Sequence, residues 1–422
     1  MKFNSFLLKS IFVFLLAILV VYSILIFNES IDLRNYSYNE LFINYEFGFI
    51  RRGLLGQIFI LLDNYFNINP KFFFTFILSS LYICQIVLFY LVFNKIFNSK
   101  YVAILILLSP VFLLFSIYDP NTFYLKDIFV KITILFHAYI FIYYMKKNSY
   151  IHYINSLKFL VIPLLIIVTF IHEYQIFFLG VHILISLGFV KKKAELNSIL
   201  KIYSPLIIVI VLLFLFIGNE EQFNSMNQML KKYDVTLHPQ LKGGLYTAIG
   251  GFYKWHFHYF TYNEFVELFI SGVLGIVIFY ILFETLLKNK IITNNSIYQK
   301  HILLFFLPCT IIFILAHVDH GRNISLISTN LIVYYSTLRI DTFKFKSFIA
   351  SYDINVLKKI LLLIFLIFYI FMWKLDQYAG YSMRGESNTI FESTLFGEIK
   401  KFINYAYFYI DINFFNLPDL NL

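Results

Sequence analysis

Residues 11–27 read IFVFLLAILVVYSILIF, and the same character returns in IIVIVLLFLFI at 207–217 and ILLLIFLIFYIFM at 360–372. These runs are continuously apolar and do not alternate, so every side of each segment faces lipid or another apolar surface. Backbone amides in hydrocarbon must be satisfied within a helix or around a closed barrel, and barrel strands alternate. The runs therefore spell helix. Of the 422 residues, 60% are hydrophobic and only 14% charged, more apolar surface than a water-soluble fold of this size buries. The expected fold class is all-α: a polytopic transmembrane helical bundle.

Spans are expected at roughly 7–27, 71–94, 101–117, 128–145, 157–171, 175–190, 202–217, 265–287, 301–317, 323–338 and 357–375, about eleven in all. Each is close to the length that crosses roughly 30 Å of hydrocarbon. The first follows Lys2 and Lys9 but lacks a small-x-small cleavage pattern, so it reads as a retained span instead of a signal peptide. The two short spans flanking His172-Glu173 could equally form one bent helix or a re-entrant pair.

Lysine and arginine set the orientation. Lys95, Lys100, Lys146, Lys147, Lys191, Lys192, Lys193, Lys288, Lys290, Arg339, Lys344, Lys346, Lys358 and Lys359 fall in every other connection. By the positive-inside rule these connections are cytoplasmic, which puts the amino terminus inside and the carboxyl terminus outside a bacterial cytoplasmic (inner) membrane. The net charge of +10 is explained by these loops, and no nucleic-acid partner is expected. Cys84 and Cys309 lie within apolar runs and imply neither a disulfide framework nor a metal site.

With no internal repeat and no Pro/Gly/Ser linker, residues 1–422 read as a single integral membrane domain. Its long outer segments are 28–70, 218–264 and 376–422. The first contains an amphipathic stretch, Tyr45 to Asp63, able to lie at the interface or dip back in. The second has glycine pairs at 243–244 and 250–251 and is long enough to cap a cavity.

Once the topology is drawn, the polar residues least expected at bilayer edges map to the outer face. They are Glu46, Arg51 and Arg52; Asp119, Lys126 and Asp127; His172 and Glu173; and Asp319, His320 and Arg322. Arg51-Arg52-Gly53 suits a phosphate, since guanidinium offers a bidentate fork and glycine a close backbone approach; paired arginines could equally anchor a helix to headgroups. Asp319-His320-Gly321-Arg322 could supply a base and an anion clamp, or an Asp319–Arg322 ion pair closing a tight turn. His172-Glu173 reads as a catalytic base or sugar-binding carboxylate, or as a solvated turn. A HExxH zinc site is excluded because position 176 is Ile. Lys126-Asp127 is placed to start a helix and is partly structural. Trp255, His256 and His258 could stack on a sugar but suit interfacial anchoring better. There is no P-loop, no GxGxxG after a strand and no GxSxG elbow.

Outer arginines, a histidine and carboxylates at the lip of an apolar bundle fit a polyprenyl-diphosphate-linked glycan, whose tail occupies hydrocarbon while its diphosphate seeks arginine. In span number, late outer loop and outer arginines the chain resembles the O-antigen and capsular polysaccharide polymerases of bacterial surface-glycan pathways. The resemblance implies a glycosyltransferase that polymerises repeat units without metal or cofactor. His320 or Glu173, with His172 and Asp319, would be candidate bases; Arg51, Arg52 and Arg322 would clamp the diphosphate beside Lys126 and Asp127. The implied partners are the polyprenyl-diphosphate-linked oligosaccharide, membrane lipids and other polysaccharide-assembly membrane proteins. The family places key arginines in large outer loops, whereas 218–264 carries only Lys231, Lys232, Lys242 and Lys254 as basic residues. Two alternatives stand beside it. One is a multispanning polyprenyl-phosphate-sugar glycosyltransferase, with Glu29, Asp32, Glu40 and Glu46 as its first-loop acids. The other is a lipid-linked glycan flippase, for which Lys131, His137, His182 and Glu284 are the few charges or imidazoles within or near spans.

Overall fold

A computed structural model describes residues 2–28, 36–93, 108–109, 111–112, 114–118, 122–190, 193–216, 218–237 and 320–337. Among these residues the chain is all-α, helices joined by turns and loops with no strand, and five of the helices are long and apolar enough to cross a membrane. It is a membrane protein. The expected spans at 265–287, 301–317 and 357–375, most of 101–117, and the segments 238–264 and 376–422 lie outside the described residues, as do Asp119, Asp319 and the His320 side chain.

Helix α1 (Lys2–Asn28) and α4 (Pro70–Phe93) are antiparallel, since Phe27 meets Phe72 and Phe12 meets Tyr90 edge-to-face at ring separations of 6.3 and 4.8 Å. Such shape-matched aromatic contacts matter in lipid, where water no longer drives apolar faces together. Pro70 opens α4 at a position whose N–H needs no partner, and the Asn69 side chain caps Phe72 N at 3.1 Å.

Between them, α2 (Tyr36–Glu40) and α3 (Leu54–Phe66) pack over one end of the bundle, where Phe42 meets Tyr38, Phe59 and Phe74. The amphipathic stretch expected from Tyr45 becomes helical only at Leu54. A chain reversal delays it: Arg52 takes a left-handed φ of 66° and Gly53 lies against the Tyr45 ring, too close for a Cβ. A short helix α5 (Phe115–Tyr118) precedes α6 (Asp127–Lys146), which has an acid in its first turn and a base in its last, as the helix dipole favours.

The next span, α7 (Tyr150–Ile171), is one helix instead of the shorter 157–171. Pro163 cannot donate to residue 159 and its ring crowds that carbonyl, and a π turn at Leu157–Val161 absorbs the mismatch. After His172 a 3-10 turn, Glu173–Phe178, leads into α8 (Leu179–Leu187). Then α9 (Lys193–Leu215) returns with Pro205 in its interior. The carbonyl of Lys201, deprived of its proline N–H, accepts the Ser204 hydroxyl at 2.7 Å. A capping box on Asn219 starts the amphipathic α10 (Glu220–Leu230), and Gln222 Nε2 donates to Phe47 O.

Helix α11 (His320–Thr337) packs against α6 and α8. It coincides with the expected span 323–338 but begins earlier, so His320–Arg322 form its first turn instead of a loop between spans. Thr329 and Ser336 donate to the carbonyls four residues back, while Ser325 donates to Val111 O at 2.8 Å. The start of α4, α6 and α11 and the close of α1, α7 and α9 thus meet at one end, the site end, together with α2, α3 and α10.

Candidate functional site

Six of the residues singled out in the sequence converge at the site end from four separate segments, and a seventh, Glu40, joins them. Arg52 is the hub. Its Nε donates to both carboxylate oxygens of Glu173 at 2.7 Å, its Nη2 also bonds Glu173, and its Nη1 donates to Glu40 Oε1 at 2.6 Å. Lys126 Nζ donates to the Arg52 backbone carbonyl at 2.9 Å. A non-glycine residue at positive φ costs about 1–3 kcal/mol, and these contacts over-determine it.

Beside this hub, Asp127 holds Arg322 in a two-pronged pair, Nε to Oδ2 at 2.6 Å and Nη2 to Oδ1 at 2.8 Å. Arg322 lies over the Tyr174 ring, 4.5 Å from its centroid, and His172 stacks on the same residue at 4.7 Å. His172 Nε2 sits 2.9 Å from Asp127 Oδ1 and 2.7 Å from Arg322 Nη2. In one tautomer it donates to the carboxylate, in the other it accepts from the guanidinium. Its Nδ1 is therefore a lone pair or a proton donor, and that buried nitrogen has no hydrogen-bond partner among the described residues. A carboxylate that orients an imidazole while leaving its second nitrogen open is the arrangement general acid–base chemistry uses.

Charges taken this far from water must be paired. His172, Lys126 and Glu40 are fully buried, so the solvated-turn reading of His172-Glu173 does not apply. Four cations, Arg51, Arg52, Lys126 and Arg322, face three carboxylates, Glu40, Asp127 and Glu173. Among the described residues these groups, with neutral His172, carry one more positive than negative charge, and Lys131, one turn into α6, adds a further cation whose charge reaches Asp127 and Arg322. Burial pushes the Lys126 ammonium down to about 8, with Glu40 and Glu173 opposing that fall and Arg52 and Arg322 adding to it. Burial works to raise both glutamates, but neighbouring cations win. Arg52 above all holds Glu173 well below the usual carboxylate range, and Arg52, Lys126, His172 and Arg322 lower Glu40. Burial lowers the His172 imidazole despite Asp127, with Arg322 contributing, so the ring is neutral near pH 7.

Arg51 is buried beside this cluster and its charge reaches Glu173. Glu46 stays outside it, accepting from Gln57 Nε2 at 2.7 Å. Glu173 commits both oxygens to Arg52, whereas Glu40 keeps Oε2 buried and without a described hydrogen-bond partner. Among the described residues no three His, Cys, Asp or Glu side chains gather in a form able to hold a metal ion.

Glu40 and Tyr174 were not distinguishable in the sequence. Glu40 is one of five acids between residues 28 and 70 and carries no local pattern; its proximity to Arg52 gave the available hint. No protein-family model matches the chain, and no curated protein or solved structure is significantly similar to it.

Proposed function

We infer that this protein is a membrane-embedded glycosyltransferase that takes its donor as a lipid-linked phosphorylated sugar and polymerises surface-polysaccharide repeat units. The observation that carries this reading is the Asp127–His172 pair, buried among guanidiniums and an ammonium where four separate segments of the chain converge. His172 Nδ1 removes the proton from an acceptor sugar hydroxyl, and Asp127 stabilises the imidazolium that forms. The hydroxyl oxygen attacks the anomeric carbon as the bond to the carrier phosphate breaks. Lys126 and the arginines stabilise the departing phosphate, whose growing charge the net positive site favours. The lysine asymmetry of the connections supports an outer-face position for this end in a bacterial cytoplasmic membrane.

One observation favours a second form of the reaction. The arginines are already engaged by carboxylates, which leaves less of their charge for a donor and suits a monophosphate better than a diphosphate. Glu40 Oε2 would then be a second proton acceptor, from the segment following the first span, as in multispanning polyprenyl-phosphate-sugar glycosyltransferases.

A gel of surface polysaccharide from cells lacking the gene separates these. Loss of the long-chain ladder with one repeat unit left on its carrier supports polymerisation. A complete ladder of altered composition moves the protein to side-branch glycosyl transfer, and loss of all surface glycan supports the flippase alternative.

A further inference from the structure

Just beneath the Asp127–Arg322 pair, α6 and α11 are joined a second time. Lys131 lies four residues past Asp127, about 6 Å farther from the site end, and Ser325 lies three residues past Arg322, about 4.5 Å farther. Lys131 Nζ donates to Ser325 Oγ at 2.8 Å, and that hydroxyl in turn donates to Val111 O at 2.8 Å. The ammonium also lies over the Phe115 ring, 5.0 Å from its centroid. Lys131 is only 3% exposed, yet among the described residues no carboxylate lies within ion-pair distance of it. Of its three N–H donors, one has a hydrogen-bond acceptor there.

A buried cation without a counter-ion is costly, the more so at this depth in a membrane. The spacing gives it a use. An acid and a base four residues apart, the acid first, face each other along a helix in the order that favours an ion pair. Asp127 instead commits both oxygens to Arg322, 195 residues away, with His172 also on Oδ1. Lys131 is therefore held within reach of a carboxylate that already has a partner. Arg322 faces the converse difficulty. To take an incoming anion it must loosen its hold on Asp127, which would strand a buried carboxylate.

We propose that Lys131 is the alternate counter-ion of Asp127, engaged when a phosphoryl group draws Arg322 away. The ammonium then leaves Ser325 and the Phe115 ring and pairs with Asp127 Oδ2, while His172 keeps its contact with Oδ1. The carboxylate stays neutralised throughout; no proton moves and no covalent bond changes. When the phosphoryl group departs, Arg322 returns to Asp127 and Lys131 to Ser325. Lys131 is a positioning residue: it acts on the ligand through Asp127 and Arg322 and does not touch it. The phosphoryl ligand rests on the glycosyl-transfer reading, whereas the exchange of counter-ions stands on the geometry alone.

A ligand-free double-mutant cycle on the full-length protein tests the exchange. Lys131→Met should change the detergent-unfolding equilibrium by less than about threefold in the unmodified protein, but destabilise the Arg322→Met background about tenfold or more, because Lys131 then holds Asp127. An equal effect in both backgrounds, as expected of a lysine that merely joins α6 to α11, overturns the proposal. If Arg322→Met does not insert, Arg322→Gln takes its place with the same two outcomes. Binding then tests the ligand, with polyprenyl phosphate in phosphatidylcholine nanodiscs and inorganic phosphate in solution as the probes. Lys131→Met should weaken binding about tenfold in the unmodified protein and leave it unchanged in the Asp127→Asn background, where no carboxylate needs a second partner. A loss that persists in Asp127→Asn means that Lys131 touches the phosphate itself, and contradicts the exchange. Tighter binding of the lipid probe assigns the phosphoryl group to a lipid carrier, and equal binding assigns it to phosphate from either source. A coupled cycle with neither probe bound keeps the exchange and overturns the phosphoryl ligand, and with it the glycosyl-transfer reading.

Discussion

Lys126 holds the backbone of Arg52, its Nζ bonded to a carbonyl whose residue sits at a φ of 66°. A buried ammonium thereby fixes the turn that aims a guanidinium between Glu40 and Glu173. Positioning and charge come from the same contact, and the consequences can be measured separately.

The first concerns pH. Burial lowers Lys126 to about 8 from its ordinary 10.5, so it is cationic below that value and neutral above. Anion stabilisation should fade as pH rises through about 8. The activity profile is expected to show an alkaline limb there, and Lys126→Met should be weak and lack that limb. The folded form binds this proton less tightly than the unfolded chain, so the same group favours folding more as pH rises from about 8 to 10.5.

The second concerns Arg52. Lysine preserves the charge but cannot form the fork that meets Glu173 and Glu40 together. Arg52→Lys should lower activity on the order of 10- to 100-fold, the equivalent of a lost charge-assisted hydrogen bond of about 1.5–3 kcal/mol. Near-normal turnover by a stably inserted Arg52→Lys protein would show that the fork is dispensable.

The third concerns Asp127 and Arg322. Removing either leaves a buried charge without its counter-ion, at a cost of about 3–5 kcal/mol. Asp127→Asn and Arg322→Met should each lower detergent-unfolding stability strongly, while the double variant should cost far less than their sum. Additive losses would mean that the pair is not coupled.

The fourth concerns orientation. In a protein whose Cys84 and Cys309 are replaced by Ser, Tyr65→Cys at the site end should react with a membrane-impermeant maleimide added outside. Ile151→Cys at the far end should react only after lysis. Both side chains are highly exposed, so the reverse pattern would invert the topology.

Much of this was legible in the sequence because two of its signals are local. Continuous apolar runs mark α1, α4, α6, α7 and α9, and a bend at His172-Glu173 announces itself as a polar break. Arg52, Lys126, Asp127, His172, Glu173 and Arg322 could be grouped by drawing alternate crossings, since each flanks a helix end on one side. What sequence could not show is pairing across segments. Arg322 has Asp127 as its partner from 195 residues away. His137 and His182 looked like isolated exceptions within spans, yet they touch because α6 and α8 pack together. The start of α3 was misplaced because apolar spacing continues through a turn whose cause is the backbone of Arg52.

His172→Gln tests the site most directly. Glutamine can keep a hydrogen bond to Asp127 but cannot accept a proton from a sugar hydroxyl. With the variant protein confirmed at normal abundance in the membrane, surface polysaccharide should lose its long-chain ladder and retain single repeat units on the carrier. A full ladder in those cells would contradict His172 as the base and remove the proposed catalytic site.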